Sequence, residues 1–241
     1  MSLPIVNPFS TPYEAWSTRK LSYEESMARN TPNIHVRDKR LALVDSAMKA
    51  AEYMAEYGAD NALDGHIDGA LSNDPAHAAW RRAMPSKTPD ALARYQKQFP
   101  DYDRDEVTRE IQANGVELPA GQFLFHAGVW PSPGLDVFVT GRPLSTTFCP
   151  QVAMRNAEHN AKAYDANQID LWVVRVQAPK TNAFVFRIRG TDKGHEKEVL
   201  FAAGATLTLR NRVLIRSDYL ASKWGQPDKN IRTYVLEVDI S

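Results

Sequence analysis

The sequence has one cysteine in 241 residues, Cys149, so no disulfide can form within the chain. It has no excess charge of either sign: Lys+Arg and Asp+Glu both number 29. A general electrostatic pull toward nucleic acid or an acidic membrane surface is therefore absent, and only a local basic patch could supply one. It has no apolar run near the ~20 residues that a membrane-spanning helix needs. The start, Met1-Ser2-Leu3-Pro4-Ile5-Val6, lacks the basic opening and apolar core of a signal peptide. Export, if it occurs, is expected by a route that reads no such peptide. Internal repeats and low-complexity tracts are also lacking. What remains is ordinary for a globular chain, with 43% apolar and 24% charged residues, enough to bury a core. The length suits one large domain or two small ones.

Residues 1–37 carry Pro4, Pro8, Pro12 and Pro32 with little apolar periodicity, and read as an irregular arm. From Asp38 to Tyr57 the spacing of Leu41, Val44, Met48, Ala51 and Met54 predicts a helix stopped by Gly58. A loop rich in Gly, Asp and Asn is expected over Ala59–Asn73. Helices are expected at Ala76–Met84, from Thr88-Pro89 to Phe99, and at Asp103–Ala113. From Gln122 onward β-branched and aromatic residues dominate. Strands are predicted at Phe123–Phe125, Val137–Thr140, Leu171–Gln177, Phe184–Ile188, Val199–Phe201, Thr206–Leu209 and Tyr234–Ile240, with a helix from Pro150 to about Tyr164. Helices first and strands later imply an α+β fold. The arm, 1–37, would precede one domain, 38–241. That domain would hold a helical lobe, 38–117, and a mostly antiparallel β-sandwich core, 118–241.

Three short segments carry candidate chemistry. Glu196-Lys197-Glu198 precedes the apolar Val199-Leu200-Phe201. In strand geometry its two carboxylates share a face. At a turn, Glu196 projects while Glu198 sits on the sheet, and unlike surroundings can give two acids different roles. Taken alone, such a triplet is more often a solvated turn. Ser145-Thr146-Thr147 places three hydroxyls in a row before a helix, able to bond neighbouring strands or a polar ligand. His126-Ala127-Gly128 ends an apolar strand with a polar residue and a glycine that lets a ligand approach the backbone. A histidine there is, alone, more often structural. The pairing of His195 with Glu196 and Glu198 is thin ground for a metal site, and none is expected.

In this order, the segments resemble the mono-ADP-ribosyltransferase family of bacterial toxins and effectors. That family carries an Arg motif on a first strand, Ser-Thr-Ser on a second, and Glu-x-Glu leading into a Val-Leu strand. Glu196 through Thr206 matches the last block, and Ser145-Thr146-Thr147 the middle one, with Thr in third place. Val173–Val176 and Ala183–Val185 resemble the paired strands between them. The resemblance covers Phe123–Arg210. His126 stands where this class has Arg, as in the diphtheria-toxin branch, and Ala127 separates it from Gly128.

The resemblance implies NAD⁺ as substrate, with no metal, in the 118–241 core. It makes Glu198 the catalytic acid, Ser145 its orienting hydroxyl and Glu196 the acid that activates the acceptor. His126, Ala127, Gly128, Thr146 and Thr147 would contact NAD⁺. Because a neutral imidazole suits a ribose hydroxyl better than a diphosphate, Arg142 and Arg155 are candidates for the phosphates. The acceptor implied by Glu-x-Glu is an arginine of a target protein; the balanced charge disfavours nucleic acid. The alternatives are an NAD⁺ glycohydrolase, a nucleic-acid transferase, or a catalytically degenerate fold that only binds a partner. A toxin or effector would act in the cytoplasm of a host or target cell; otherwise the protein is cytoplasmic.

Overall fold

A computed structural model describes residues 3–30, 35–131, 134–188 and 193–241. The N-terminal segment departs from expectation. Where an irregular arm is predicted, β1 (Tyr13–Lys20) and β2 (His35–Val44) pair antiparallel, and α1 (Tyr23–Arg29) lies between them. Ser22 and Glu25 close a reciprocal capping box on α1. Only Ala15 of β1 is buried, so the strand has no alternating apolar face to announce it. Pro32 lies outside the described residues. The helix predicted from Asp38 starts later, because 38–44 pair with β1. It is α2 (Ala47–Tyr57), capped by the Ser46 hydroxyl on Lys49 N and ended at Gly58, whose φ of 79° suits glycine.

The loop expected over Ala59–Asn73 is also a helix, α3 (Asn61–Asn73). Asp60 caps it by accepting from Ala62 N and Leu63 N, while Leu63, Ile67 and Leu71 form a fully buried stripe at four-residue spacing. The α4 (Pro75–Ala83), α5 (Asp90–Gln98) and α6 (Arg104–Asn114) helices fall where predicted, within a residue or two. Trp80 of α4 is fully buried and ties back to the N-terminal segment through its indole N–H on the Pro4 carbonyl, 2.7 Å. No helix among the described residues is long and apolar enough to cross a membrane.

The remaining strands are β3 (Phe123–Gly128), β4 (Val137–Val139), β5 (Leu144–Thr147), β6 (Gln168–Val176), β7 (Ala183–Val185), β8 (Glu198–Phe201), β9 (Thr206–Lys223) and β10 (Gln226–Ile240). They form one mostly antiparallel sheet in the order β4-β9-β10-β6-β3-β5-β8-β7, with β6 and β10 its parallel pair. The expected sandwich is thus one hydrogen-bonded sheet. It is pinched in the middle, where the single pair Phe125↔Thr147 joins β3 to β5. On one side lie five strands, on the other β5, β8 and β7. The central β6 is buried along almost its whole length, as a strand covered on both faces must be.

Between β5 and β6 the predicted single helix breaks into α7 (Pro150–Glu158) and α8 (Lys162–Ala166). Asn160 and Ala161 adopt left-handed φ of 56° and 59° at the break. Two strands are much longer than predicted. The β9–β10 hairpin runs from Thr206 to Ile240 and turns at Gly225. Much of its outer length is exposed, and its apolar residues, such as Val213, Leu214 and Leu220, do not alternate with polar ones along one buried face.

Candidate active site

The pinch in the sheet brings the motifs together. All of β8 is buried, with Leu144–Thr147 paired on one side and β7 on the other. Glu198, its first residue, is 4% exposed. The Ser145 hydroxyl donates to Glu198 Oε1 at 2.7 Å, and the Tyr95 hydroxyl, from α5, donates to the same oxygen at 2.8 Å. The Gln96 amide reaches Oε2 at 3.4 Å. Burial pushes the Glu198 carboxyl above the usual range, and the hydroxyls from Ser145 and Tyr95 hold the shift back. All three donors are neutral, so a negative charge here is hydrogen-bonded but uncompensated. That is the setting in which a carboxylate acts strongly on a cation brought next to it.

Tyr95 is held in an aromatic cluster, edge-on to Phe99 and Tyr102 and stacked on Phe186 at 6.4 Å. The helix α5 therefore caps the acid, a contact across 103 residues that no motif announces. Ala91, Leu92 and Tyr95 form the buried face of α5. A buried tyrosine needs a partner for its hydroxyl, and that was the available sequence signal.

The turn before β8 holds the two acids in unlike settings. Glu196, in a 3₁₀ turn (Gly194–Glu196), is one quarter exposed and pairs with Lys193 at 3.0 Å. Lys197, between them, takes a left-handed φ of 49° and points the other way. Its ammonium is completely buried, 2.9 Å from Asp64 and 3.0 Å from Asp68, both on α3, and it donates to the His195 carbonyl at 3.1 Å. The Asp68 contact is an ion pair outside hydrogen-bond geometry. Burial alone would raise Asp64, but the Cys149 thiol and Lys197 outweigh it and hold the carboxyl below its usual range. Burial, aided by Asp64, pushes the Cys149 thiol up to about 12, so this cysteine is no nucleophile. A Cβ at Gly194 would lie 1.9 Å from the Ile188 carbonyl oxygen, so only glycine fits there.

The first motif lies across the pinch. His126, half-buried on β3, bonds through Nδ1 to the Ser145 carbonyl at 2.7 Å, so Nδ1 carries the proton and Nε2 is the free acceptor. A Cβ at Gly128 would stand 3.4 Å from that Nε2, so the glycine leaves its side open. Burial pulls the His126 pKa down to about 4, with Arg142 and Lys162 adding to it. The imidazole is neutral at physiological pH. Its ring meets Trp172 edge-on at 4.6 Å, and the Trp172 indole N–H is buried without a partner.

The other sequence-derived residues divide. Ala127 follows His126 on β3, partly buried. The hydroxyls expected to contact NAD⁺ are used by the fold instead: Thr146 donates to the Val199 carbonyl at 2.6 Å and Thr147 to the Glu196 carbonyl at 2.7 Å. They fasten β5 to β8 and to the Glu196 turn. Arg142 is exposed and close enough to lower the His126 pKa. Arg155 points elsewhere, donating to Asn61 on α3 at 3.2 Å. The cation that joins Arg142 near His126 is Lys162, which the sequence reading passed over. It stands 6.0 Å over the Phe99 ring, at the edge of the Tyr95 cluster.

No protein-family model and no curated protein matches the chain. Solved structures of similar fold include Vis toxin, an ADP-ribosyltransferase from Vibrio splendidus. It is 13% identical over 92% of this chain and 88% of that one, with a TM-score of 0.33. C3larvin toxin, an ADP-ribosyltransferase from Paenibacillus larvae, is 10% identical over 68% and 92%, with a TM-score of 0.37. Plx2a, an ADP-ribosyltransferase toxin of the same bacterium, is 9% identical over 68% and 90%, with a TM-score of 0.36. All three are distant likenesses.

Proposed function

We propose that the protein is a mono-ADP-ribosyltransferase that takes NAD⁺ as substrate and transfers ADP-ribose to an arginine of a target protein. The observation that carries this reading is the buried Glu198 carboxylate, hydrogen-bonded by Ser145 and Tyr95 and, among the described residues, in direct contact with no cation. Breaking the bond between nicotinamide and ribose leaves positive charge on the ribose carbon as neutral nicotinamide departs. A fixed carboxylate lowers the energy of that cation, as in glycoside hydrolysis. Ser145 orients the acid, and His126 Nε2 accepts from a ribose hydroxyl. A guanidinium nitrogen then bonds to the ribose carbon, and its proton passes to Glu196, which is more exposed and better placed to meet a second protein. Arg142 and Lys162 are our candidates for the phosphates. As a toxin or effector, the protein would act in the cytoplasm of a target cell.

A second reading, a fold that only binds a partner, draws support from the closure of Glu198 under Tyr95 and Gln96. Labelled NAD⁺ incubated with the protein and a cell lysate separates the readings. Label on arginine of a protein, absent with Glu198→Gln, supports the proposal. Free ADP-ribose alone points to a glycohydrolase, and label on nucleic acid to that acceptor. No consumption of NAD⁺ by the wild type overturns the enzymatic reading.

A further inference from the structure

A second polar site lies on the helical side of the molecule. An open cavity of about 410 Å³ is bordered by α3, α4 and the segment after β7, and Arg81, Arg82, Arg187 and His77 line it. Arg81 and Arg82 fall in the last turn of α4, where basic residues commonly meet the helix carbonyls and need no ligand. Two observations go beyond that. The Arg81 side chain leaves its own helix and donates to the Val185 carbonyl of β7, a neutral acceptor. Burial together with the nearby Arg187 pulls its pKa down to about 10, the mark of two like charges in a partly desolvated place. Neither Arg81 nor Arg82 is paired with a carboxylate among the described residues. The second observation is His77. It is 7% exposed, its Nδ1 bonds to the Leu71 carbonyl at 3.1 Å, and its Nε2 is buried with no partner. Asp74, whose charge reaches His77, spends Oδ1 on the Ala76 amide in capping α4.

We infer that this cavity binds a phosphate group, as the free ion or on a small ester, through the guanidinium groups that line it. The charge argues for phosphate over a single carboxylate. A dianion with tetrahedral oxygens can engage more than one planar guanidinium fork, here those of Arg81 and Arg82. A monoprotonated phosphate can also donate to His77 Nε2, satisfying the orphaned nitrogen. The Glu198 carboxylate is held by other residues, so this site is separate from the candidate active site and independent of its assignment.

The test is calorimetric titration of inorganic phosphate, and in parallel AMP, into the full chain. Chloride at matched ionic strength is the control, and the His77 ring resonance is followed by NMR. The expected result is saturable binding that moves the His77 resonance and weakens about tenfold or more in Arg82→Gln, the loss of one charge-assisted hydrogen bond. Arg82 is exposed, so that variant keeps the fold; Arg81→Gln, which also loses the Val185 contact, is the second variant. Tighter AMP than phosphate assigns the site to esters, and equal binding to the free ion. No saturation beyond the chloride control, an unmoved His77 resonance, or equal affinity in Arg82→Gln overturns the proposal.

Discussion

Tyr95→Phe removes one hydroxyl from the acid and nothing else. The ring contacts to Phe99, Tyr102 and Phe186 survive, and Glu198 Oε1 still accepts from Ser145. The lost bond, 2.8 Å to a carboxylate, is of the charged kind worth about 1.5–3 kcal/mol. Because that bond favours the ionised acid, its loss adds to the upward push of burial. The Glu198 carboxyl should therefore move further up. The catalytic form is the anion. NAD⁺ hydrolysis by wild type should therefore rise with pH along an acid limb set above the usual carboxylate range. In Tyr95→Phe the limb should shift to higher pH, while the plateau at high pH changes only severalfold. A merely structural tyrosine would lower the rate at every pH and leave the limb in place. The assay is a pH–rate profile of nicotinamide release for both proteins, with Glu198→Gln as the baseline. A fall in rate without a shift of the limb refutes the idea that Tyr95 tunes the acid.

Four further variants carry expected outcomes. Glu198→Gln should lower nicotinamide release by about 10²–10³ or more. Its thermal midpoint should gain on wild type as pH rises, because the folded state holds the Glu198 proton more tightly than the unfolded state; the contribution of Glu198 to wild-type stability is whole below the unfolded carboxyl pKa and is lost as pH rises through the folded one. A midpoint difference independent of pH would count against a raised Glu198. Lys197→Met should cost about 1–3 kcal/mol in denaturant unfolding, since Asp64 loses its buried partner while the more exposed Asp68 recovers water. A neutral change would mean that α3 does not anchor the turn. His126→Ala should weaken NAD⁺ binding by about 1–3 kcal/mol in calorimetry, and equal affinities would remove His126 from the substrate site. Glu196→Gln should lose transfer to protein yet keep NAD⁺ hydrolysis; loss of both to the level of Glu198→Gln would make the two acids one unit.

The sequence showed the strands of the site more clearly than their surroundings. Glu198 opens a short apolar run that is buried throughout, and β5 and β8 pair so that one hydroxyl meets one carboxylate. Thr146 and Thr147 looked equivalent to Ser145 because composition cannot say which hydroxyl a strand spends on its neighbour. Tyr95 was silent because its partner is set by where α5 docks. The stripe of Leu63, Ile67 and Leu71 was hidden by Gly65, Gly69 and the acidic residues around it, although Asp60 caps that helix in the usual way. The β9–β10 hairpin was cut short because its polar, exposed stretches lack period-two alternation.

The turn at 194–198 explains how two acids one residue apart can differ in role. A left-handed Lys197 reverses the chain between them and sends its own side chain into α3, and three contacts hold the turn there. Thr147 takes the Glu196 carbonyl from the sheet side. With the backbone fixed at both points, Glu198 enters the buried strand and, among the described residues, meets only neutral donors. Glu196 remains at the rim beside the Lys193 ammonium. Burial raises the proton affinity of the inner acid, while the outer one stands about a quarter exposed against an ammonium. An acid that must meet a cation formed inside the protein belongs in the first setting. An acid that must take a proton from an arriving guanidinium belongs in the second. Lys197 therefore matters to the unlike settings of the two acids, since its contacts to α3 help to fix the turn that separates them.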